Sequence, residues 1–384
     1  MDQPILQFGT SRFLQAHVDL CLSEALASGA AGQALGGITV VQTTDNPASA
    51  QRVAALASGE GYPVRIRGLL DGQRVDNTVT CRAVREALQA YADWPRVLAL
   101  MAGGVQVIIS NTADRGYQLD AQDGAALIAH ADQVPRSFPA KLLVLLHHRW
   151  HAIPEAPLSL FPCELIERNG DTLRDLVASL AQEWALPEAF IAWLRGHCVW
   201  ANSLVDRIVS DALHPVGAVA EPYALWAIEQ QARLVLPCRH AAIVLTDDLE
   251  RYERLKLFLL NAGHSYLAER WLRDGRAADE TVVQAMNDPA LRAELEALWQ
   301  EEIVPVFEAL GQRSEALAYL VDLRERLLNP YLAHRLADIA QNHAQKKQRR
   351  FGPVLALAGE LGLNLPQMRL RAALASQDKN GITP

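Results

Sequence analysis

The sequence lacks the features that mark disulfide-rich secreted proteins, zinc modules and membrane proteins. Its five cysteines include no Cys-x2-Cys pair, which argues for reduced thiols rather than a disulfide framework or a zinc site. No apolar run approaches ~18 residues, so no membrane span is expected. The N-terminal Met-Asp-Gln-Pro is not a basic region followed by an apolar stretch, so we expect no secretory signal either. These absences predict a soluble cytoplasmic protein.

An excess of positive charge is also missing. The formal net charge is −8, which argues against a nucleic-acid surface across the whole molecule. Half of the 384 residues are hydrophobic, an ordinary globular balance, and the length suffices for two domains with their own cores. Neither composition nor length separates a monomer from a homodimer.

Short apolar runs alternate with helical stretches in the first half of the chain, whereas strand signals vanish from about Leu249 onward. The polar segment 65–72 resembles a hairpin, and 142–146 is either a strand or the end of a helix opened by Pro139. Strands are predicted at 4–8, 38–43, 105–109 and 158–161, and later helices at 250–273, 289–310, 314–328, 331–350 and 354–375. The predicted fold class is α/β, with a mostly parallel sheet domain over 1–215 and an all-α domain over 216–384.

A single-glycine loop follows the first predicted strand. In a Rossmann sheet, backbone N–H groups at this position bind the pyrophosphate of a dinucleotide. An ordinary strand–turn–helix remains the alternative, because the loop has only one glycine. The candidate cofactor residues in the loop are Gly9, Thr10, Ser11, Arg12 and Phe13.

Polar residues also end the second and third predicted strands. Asp45 follows the second strand, where an acidic side chain would bond a ribose hydroxyl and favour NAD over NADP. It stands 36 positions after Gly9, more than the usual ~20. Asn111 and Thr112 end the third strand at the edge where cofactors cross such sheets. Simple turn chemistry is the alternative for all three.

The pattern Lys256-x4-Asn261-x2-His264 is the most informative motif in the chain. At ~100° per residue the three side chains share one broad helix face. A lysine among leucines and a phenylalanine loses proton affinity and can act as a general base, while the amide and imidazole can hold an oxygen that gains charge. The alternative is a core helix whose lysine reaches outward to solvent.

Three further constellations are open to two interpretations. Asp206 beside Arg207 is either a structural ion pair or an active-site carboxylate near Lys256. The run 147–151, rich in histidine, lacks a carboxylate at ligand spacing, so we predict no metal there. The basic run 346–350 is either a solvated helix face or an anion anchor. Arg326 lies at a predicted helix end before Asn329-Pro-Tyr331 and is another candidate anion contact.

Six motifs follow one another along nearly the whole chain. They are Phe8-Gly9 with Phe13–Asp19, Ser110–Thr112, Pro162–Asp171, Leu204–Val209, Lys256-x4-Asn261-x2-His264 and Asn329-Pro-Tyr331. In this order they resemble the polyol-specific long-chain dehydrogenase family, which includes mannitol dehydrogenases, and most of all its tagaturonate reductase (altronate oxidoreductase) branch.

The resemblance implies a Rossmann-like N-terminal domain, a helical C-terminal domain and metal-independent hydride transfer. It also implies that Lys256 is the general acid/base, that Asn261 and His264 hold the reacting oxygen, and that Asp206 lies near the site. Two departures stand out: Glu164-Leu165 replaces the Asp-Asn of mannitol dehydrogenases, and Ala333, followed by His334, replaces an expected lysine. The chain is also shorter than typical tagaturonate reductases. The natural substrate and its stereochemistry therefore stay open.

Together these features predict an NAD(H)-dependent oxidoreductase, with NADP not excluded, that interconverts a secondary alcohol and a ketone on a sugar acid or polyol. Two alternatives stay open: a sugar-phosphate dehydrogenase of the mannitol-1-phosphate type, and a dinucleotide-binding regulator without catalysis. The candidate residues for binding the small-molecule carbohydrate are Asp206, Arg326, His334, Lys346 and Arg350.

Overall fold

The computed structural model describes residues 3–112 and 116–376, which fall into two compact units. The first unit consists of the described residues up to Ile66, Asn77–Ala220 and Ala224–Leu249. The second consists of Arg67–Asp76, Glu221–Tyr223 and the described residues from Glu250 onward. The division at Leu249 differs from the predicted boundary at 215/216, because strands beyond residue 215 still complete sheets of the first unit.

The described strands are β1 (Ile5–Phe8), β2 (Ile38–Gln42), β3 (Tyr62–Leu70), β4 (Gln73–Cys81), β5 (Val84–Gln89), β6 (Val107–Ser110), β7 (Ser159–Pro162), β8 (Val199–Trp200), β9 (Ser203–Asp206), β10 (Val209–Ala212), β11 (Ala218–Ala220), β12 (Leu225–Glu229) and β13 (Ile243–Thr246). The helices before residue 200 are α1 (Arg12–Ala16), α2 (Val18–Ala27), α3 (Ala50–Ala57), α4 (Ala90–Met101), α5 (Ala126–Ala129), α6 (Phe138–Ala152), α7 (Asn169–Glu183) and α8 (Glu188–Gly196), with a 3₁₀ turn at Pro47–Ser49.

The main sheet of the first unit is entirely parallel, in the order β5-β2-β1-β6-β7-β8. This is the Rossmann order, in which the direction of winding reverses between β1 and β6. Its inner strands are buried on both faces, which is why they appear in the sequence as continuous apolar runs. The parallel sheet is therefore confirmed, and segment 142–146 lies inside helix α6 rather than in a strand.

Two smaller sheets, β10-β11-β3-β4 and β13-β12-β9, were not predicted apart from the hairpin. Strands β3 and β4 form that hairpin, which is longer than the predicted segment 65–72. Its turn is Asp71-Gly72, where both residues have positive φ (52° and 74°), as a tight two-residue hairpin turn requires.

The second unit is helical apart from the hairpin tip. Its helices are α9 (Leu249–Arg254), α10 (Ala262–Arg273), α11 (Val282–Asn287), α12 (Pro289–Ala297), α13 (Val304–Ala309), α14 (Arg313–Leu327), α15 (Leu336–Ile339), α16 (His343–Glu360) and α17 (Met368–Ala375). Two π-helical turns, Leu255–Asn261 and Leu298–Ile303, join α9 to α10 and α12 to α13. The mostly helical character of the C-terminal part is confirmed, although β11, β12 and β13 lie within the range 216–384 that was predicted to be all-α.

The predicted helix break near residue 351 is wrong. Helix α16 runs through Pro353 to Glu360, because Phe351, Val354 and Ala358 on its inner face are buried in the helical core. That packing outweighs the single backbone hydrogen bond that the proline removes. Within the described residues, no helix combines the length and the apolar character needed to cross a membrane.

Candidate active site

The loop after β1 can only be built with glycine at position 9. Gly9 has φ +113°, and a Cβ atom there would lie 2.6 Å from the carbonyl oxygen of Asn111. Its N–H donates to Val41 O at 3.0 Å, so the loop is held against strands on both sides of β1. The backbone thus passes closely over the end of β6, at the reversal point where dinucleotides bind in such sheets.

Polar side chains of the loop are fixed by their neighbours. The Ser11 hydroxyl caps α1 by accepting from Leu14 N at 3.2 Å, and it donates to Asn111 Oδ1 at 3.3 Å. The Thr10 hydroxyl donates to Gln42 Oε1 at 2.8 Å. Arg12 is exposed and Phe13 is half-buried against the His17 ring. The structure therefore brings the candidate residues 9–13 and Asn111 together in one cradle, and binding of a dinucleotide pyrophosphate by this cradle stays a prediction.

Helices α1 and α2 are separated by a bend at His17 (φ −120°, ψ −86°), where the His17 Nε2 atom lies 2.9 Å from Leu225 O. Arg207 Nη1 donates to Ala16 O at 2.7 Å, the last carbonyl of α1. Arg207 thus supports the end of the loop helix, while Asp206 is buried at the end of β9.

Glu164, which sequence reasoning did not assign to the site, organises the end of β6. Its Oε1 accepts from the N–H and the hydroxyl of Thr112, both at 2.9 Å, and its Oε2 accepts from the Ser110 hydroxyl at 3.0 Å. Burial raises the pKa of Glu164, while these hydrogen bonds oppose the rise. Glu164 could have been predicted as a site residue, because a carboxylate just after a buried parallel strand lies at the edge of the sheet where ligands bind.

Asp45 lies past the end of β2 and is exposed. The wide spacing from Gly9 has a simple cause, because α2 and the loop that follows it fill the interval before β2 begins at Ile38. Strand β2 is the direct neighbour of β1, so Asp45 stands at the end of the strand where a ribose-binding acid occurs in Rossmann sheets.

We expect Gly9→Ala to weaken NADH binding about tenfold to a hundredfold, because the added Cβ and the positive φ impose about 1–3 kcal/mol of strain on the loop. Titration of NADH fluorescence would measure the dissociation constant. Gly104→Ala is the matched control, since a Cβ there meets no atom within 4 Å. Equal NADH affinity in the two variants would contradict the prediction that the Gly9 loop binds the cofactor.

Lys256 and Asn261 lie on a π-helical turn, so the α-helical spacing used in the sequence analysis is wrong here. The N–H of Ala262 reaches Leu257 O, five residues back, and Leu259 O, three residues back, instead of the carbonyl four residues back that an α-helix uses. A turn closed by i→i+5 bonds holds more residues than an α-turn, which rotates Asn261 back toward Lys256. Lys256 and Asn261 are both half-exposed, and His264 is buried in the first turn of α10.

Two histidines and two basic side chains lie near this turn within the second unit. The rings of His264 and His334 meet edge to face at 5.0 Å. Burial lowers the pKa of His334, and Lys346 lowers it further against the opposing effect of Asp338. Burial and the neighbouring Arg350 likewise lower the pKa of Lys346.

Arg350 contacts the π-helical turn directly. Its Nη1 donates to Asn261 O at 3.3 Å and to Ser265 Oγ at 2.9 Å, and burial lowers its pKa. The Lys346 ammonium donates to Ile339 O at 2.8 Å. The structure thus brings His334, Lys346 and Arg350 together around the candidate catalytic residues, and their role in substrate binding stays a prediction.

Arg326 is placed differently. It is buried, pairs with the buried Glu221 carboxylate at 2.9 Å and stacks over the Tyr223 ring at 4.2 Å. The nearby Asn329 of the Asn-Pro-Tyr motif donates to Arg67 O at 3.0 Å, which ties the hairpin tip to α14. These contacts explain why the motif occurs in the sequence, and a substrate contact for Arg326 stays a prediction.

The histidines of α6 pack against one another and against aromatic rings. His147 contacts His151 at 4.6 Å and Phe190 at 5.0 Å, and burial, with help from His151 and His148, lowers the pKa of His147 to about 4. Across residues 3–112 and 116–376, no three or more His, Cys, Asp or Glu side chains are grouped so that they could hold a metal ion.

Comparison with known proteins assigns both units to one family. Residues 3–236 match the mannitol dehydrogenase Rossmann domain, and residues 248–379 match the mannitol dehydrogenase C-terminal domain. An altronate oxidoreductase from Halalkalibacterium halodurans is 30% identical over 376 residues, covering 92% of this chain and 70% of that protein. Another, from Klebsiella pneumoniae, is 33% identical over 400 residues, covering 97% and 78%.

Two solved structures share the fold. A D-sorbitol dehydrogenase in substrate-free form superposes with a TM-score of 0.79 at 19% identity, covering 99% of this chain and 82% of that one. The Pseudomonas fluorescens mannitol 2-dehydrogenase, in a ternary complex with NAD and D-mannitol, gives 0.74 at 19% identity, with 100% and 81% covered. The chain therefore belongs to the mannitol dehydrogenase family and is a nicotinamide-dependent dehydrogenase that acts on CH–OH groups.

Proposed function

We propose that this protein is an NAD(H)-dependent oxidoreductase that interconverts a secondary alcohol and a ketone on an open-chain sugar acid or polyol, without a metal. The observation that carries the proposal is the π-helical turn with Lys256 and Asn261 on it and the buried His264 one turn later. An amine, an amide and an imidazole on one helix are the groups needed to move a proton and hold an oxygen.

In reduction, the Lys256 ammonium donates its proton to the carbonyl oxygen of the substrate, and in oxidation the neutral amine takes the proton back. The Asn261 amide and the His264 imidazole donate hydrogen bonds to that oxygen while it carries negative charge. The Gly9 loop would hold a nicotinamide dinucleotide, whose chemistry is hydride transfer to the carbonyl carbon in reduction and from the alcohol carbon in oxidation. Asp45 favours NAD, because its carboxylate bonds a free ribose hydroxyl and repels a 2′-phosphate.

A sugar acid is the substrate class that we favour. Lys346 and Arg350 place positive charge near the candidate catalytic turn, His334 adds a neutral imidazole that can hydrogen-bond a carboxylate, and the relatives above are altronate oxidoreductases. The alternative, in which the whole run 346–350 binds a substrate phosphate, is less favoured, because Lys347 already donates to the buried Glu269 carboxylate at 3.0 Å. The buried free thiols of all five cysteines suit a reducing compartment such as the cytoplasm.

The proposal is tested with tagaturonate, fructose and fructose 6-phosphate, each offered with NADH and with NADPH while nicotinamide absorbance is followed. We expect the fastest loss with tagaturonate and NADH. A clear preference for fructose 6-phosphate would favour a sugar-phosphate dehydrogenase instead. Tight NADH binding without turnover of any compound would favour a regulator.

A further inference from the structure

Two side chains from distant parts of the second unit donate hydrogen bonds to backbone carbonyls of the candidate catalytic turn. Leu259 O accepts from the Trp299 indole N–H at 3.1 Å, and Asn261 O accepts from Arg350 Nη1 at 3.3 Å. Both acceptors are backbone carbonyls at the end of the π-helical turn, where the hydrogen-bond register returns to that of an α-helix. Leu259 O also accepts from the Ala262 N–H, so the Trp299 indole is a second, long-range donor to the same carbonyl.

Trp299 is well placed to hold the turn. It is fully buried and belongs to the second π-helical turn, whose end is marked by the bond from Val304 N–H to Trp299 O, five residues back. Its ring lies over Gly263, where an added Cβ would come within 3.0 Å of the indole. The two π-helical turns thus support each other, and Gly263 provides the space for the contact.

Arg350 joins the turn to the start of α10. Its Nη1 bonds both Asn261 O and the Ser265 hydroxyl, at 3.3 and 2.9 Å. Ser265 is fully buried, so it cannot touch a substrate. Arg350 therefore links Asn261, the last residue of the π-helical turn, to Ser265 in the first turn of α10, which also carries His264.

We propose that Trp299, Arg350 and Ser265 are positioning residues, which keep the 255–261 turn π-helical and thereby align Asn261 with Lys256. The inference rests on the proposed function, because alignment matters only if these residues act on one oxygen. In an α-helix Asn261 would lie ~140° around the axis from Lys256, at the two edges of the broad face they share, and the wider π-helical turn reduces that angle. Misplacing a reacting group by about 1 Å costs up to a hundredfold in rate.

Ser265→Ala is the sharpest test, because it removes one acceptor of Arg350 without touching the substrate. We expect kcat to fall about tenfold or more, with the KM for NADH unchanged. Arg350→Met should lower kcat at least as much. The double variant should be no slower than Arg350→Met alone, since both changes break one contact. Backbone amides of residues 259–263 should exchange hydrogen faster in each variant.

Other outcomes separate the inference from the proposed function. Wild-type kcat in Ser265→Ala, with only the substrate KM raised in Arg350→Met, would show that Arg350 merely contacts substrate and would overturn the inference. A kcat in the double variant that is reduced by the product of the two single-variant reductions would also overturn the inference, because the two residues would then act independently. Should Ser265→Ala fail to melt cooperatively, Trp299→Phe replaces it, and an unchanged kcat there rejects the idea. A wild-type protein inactive with the whole substrate panel overturns the proposed function, and the inference with it.

Discussion

Replacing Lys256 with alanine is expected to lower turnover by about 10²- to 10⁴-fold, the usual contribution of a general acid/base. NADH binding should stay close to that of the wild type, because the residues proposed to hold the cofactor are those of the Gly9 loop and the end of β6. Steady-state kcat with tagaturonate, together with the NADH dissociation constant from fluorescence, measures both quantities. Equal turnover in Lys256→Ala would reject the assigned role.

Lys256→Arg is the matched control, since it keeps the positive charge but cannot release a proton near neutral pH. Loss of activity in both variants points to proton transfer, whereas an active arginine variant would mean that charge alone suffices. Small primary amines added to Lys256→Ala should restore part of the rate. If no amine restores activity and the arginine variant is active, Lys256 acts by electrostatic stabilisation and not by proton transfer.

The central sheet could be predicted from the sequence because its strands are buried on both faces. Ile38–Gln42 and Val107–Ser110 contain continuous apolar runs that few helices of that length would show. Strands β9 to β13 are only three to five residues long, and their pairing depends on partners elsewhere in the first unit. Nothing local in their sequence distinguishes them from loops.

The candidate catalytic residues could be identified from the sequence, but their geometry could not. An α-turn and a π-turn use the same residue types, so Lys256-x4-Asn261 alone does not reveal which is present. The contacts that fix the turn come from Trp299, 40 residues beyond Leu259, and from Arg350, 89 residues beyond Asn261. Such long-range contacts are decided by the packing of the whole helical unit.

The contacts of the basic run 346–350 could not be predicted from the sequence either. In the sequence it is one cluster, yet the structure gives three of its cations different partners. Lys346 bonds a backbone carbonyl, Lys347 is buried against Glu269, and Arg350 donates to Asn261 O at the end of the π-helical turn. Which face of α16 is buried decides these roles, and that follows from Phe351 and Val354 entering the core.

Replacing Glu269 with glutamine is expected to destabilise the helical unit by about 3–5 kcal/mol, because it leaves a buried lysine without its carboxylate. Glu269 accepts from both Lys347 and His343 at 3.0 Å, and it also bonds the Ser376 hydroxyl, which ties the end of α17 to α10. Denaturant unfolding followed by helical circular dichroism measures the loss. Glu301→Gln is the control, because its pair with Arg369 is exposed and worth at most about 1 kcal/mol.

The same carboxylate makes stability depend on acid pH. Burial alone would raise the pKa of Glu269, but hydrogen bonds from His343, Ser376 and Lys347 outweigh it and lower the pKa to about 2, from an ordinary 4.5. A depressed carboxyl pKa stabilises the folded state above pH 4.5, and that stabilisation, about 3 kcal/mol, is lost as pH falls toward 2. The stability of Glu269→Gln should therefore fall less steeply than that of the wild type between those pH values. If the free energy of unfolding falls equally steeply with pH in the two proteins, Glu269 is not the group that titrates.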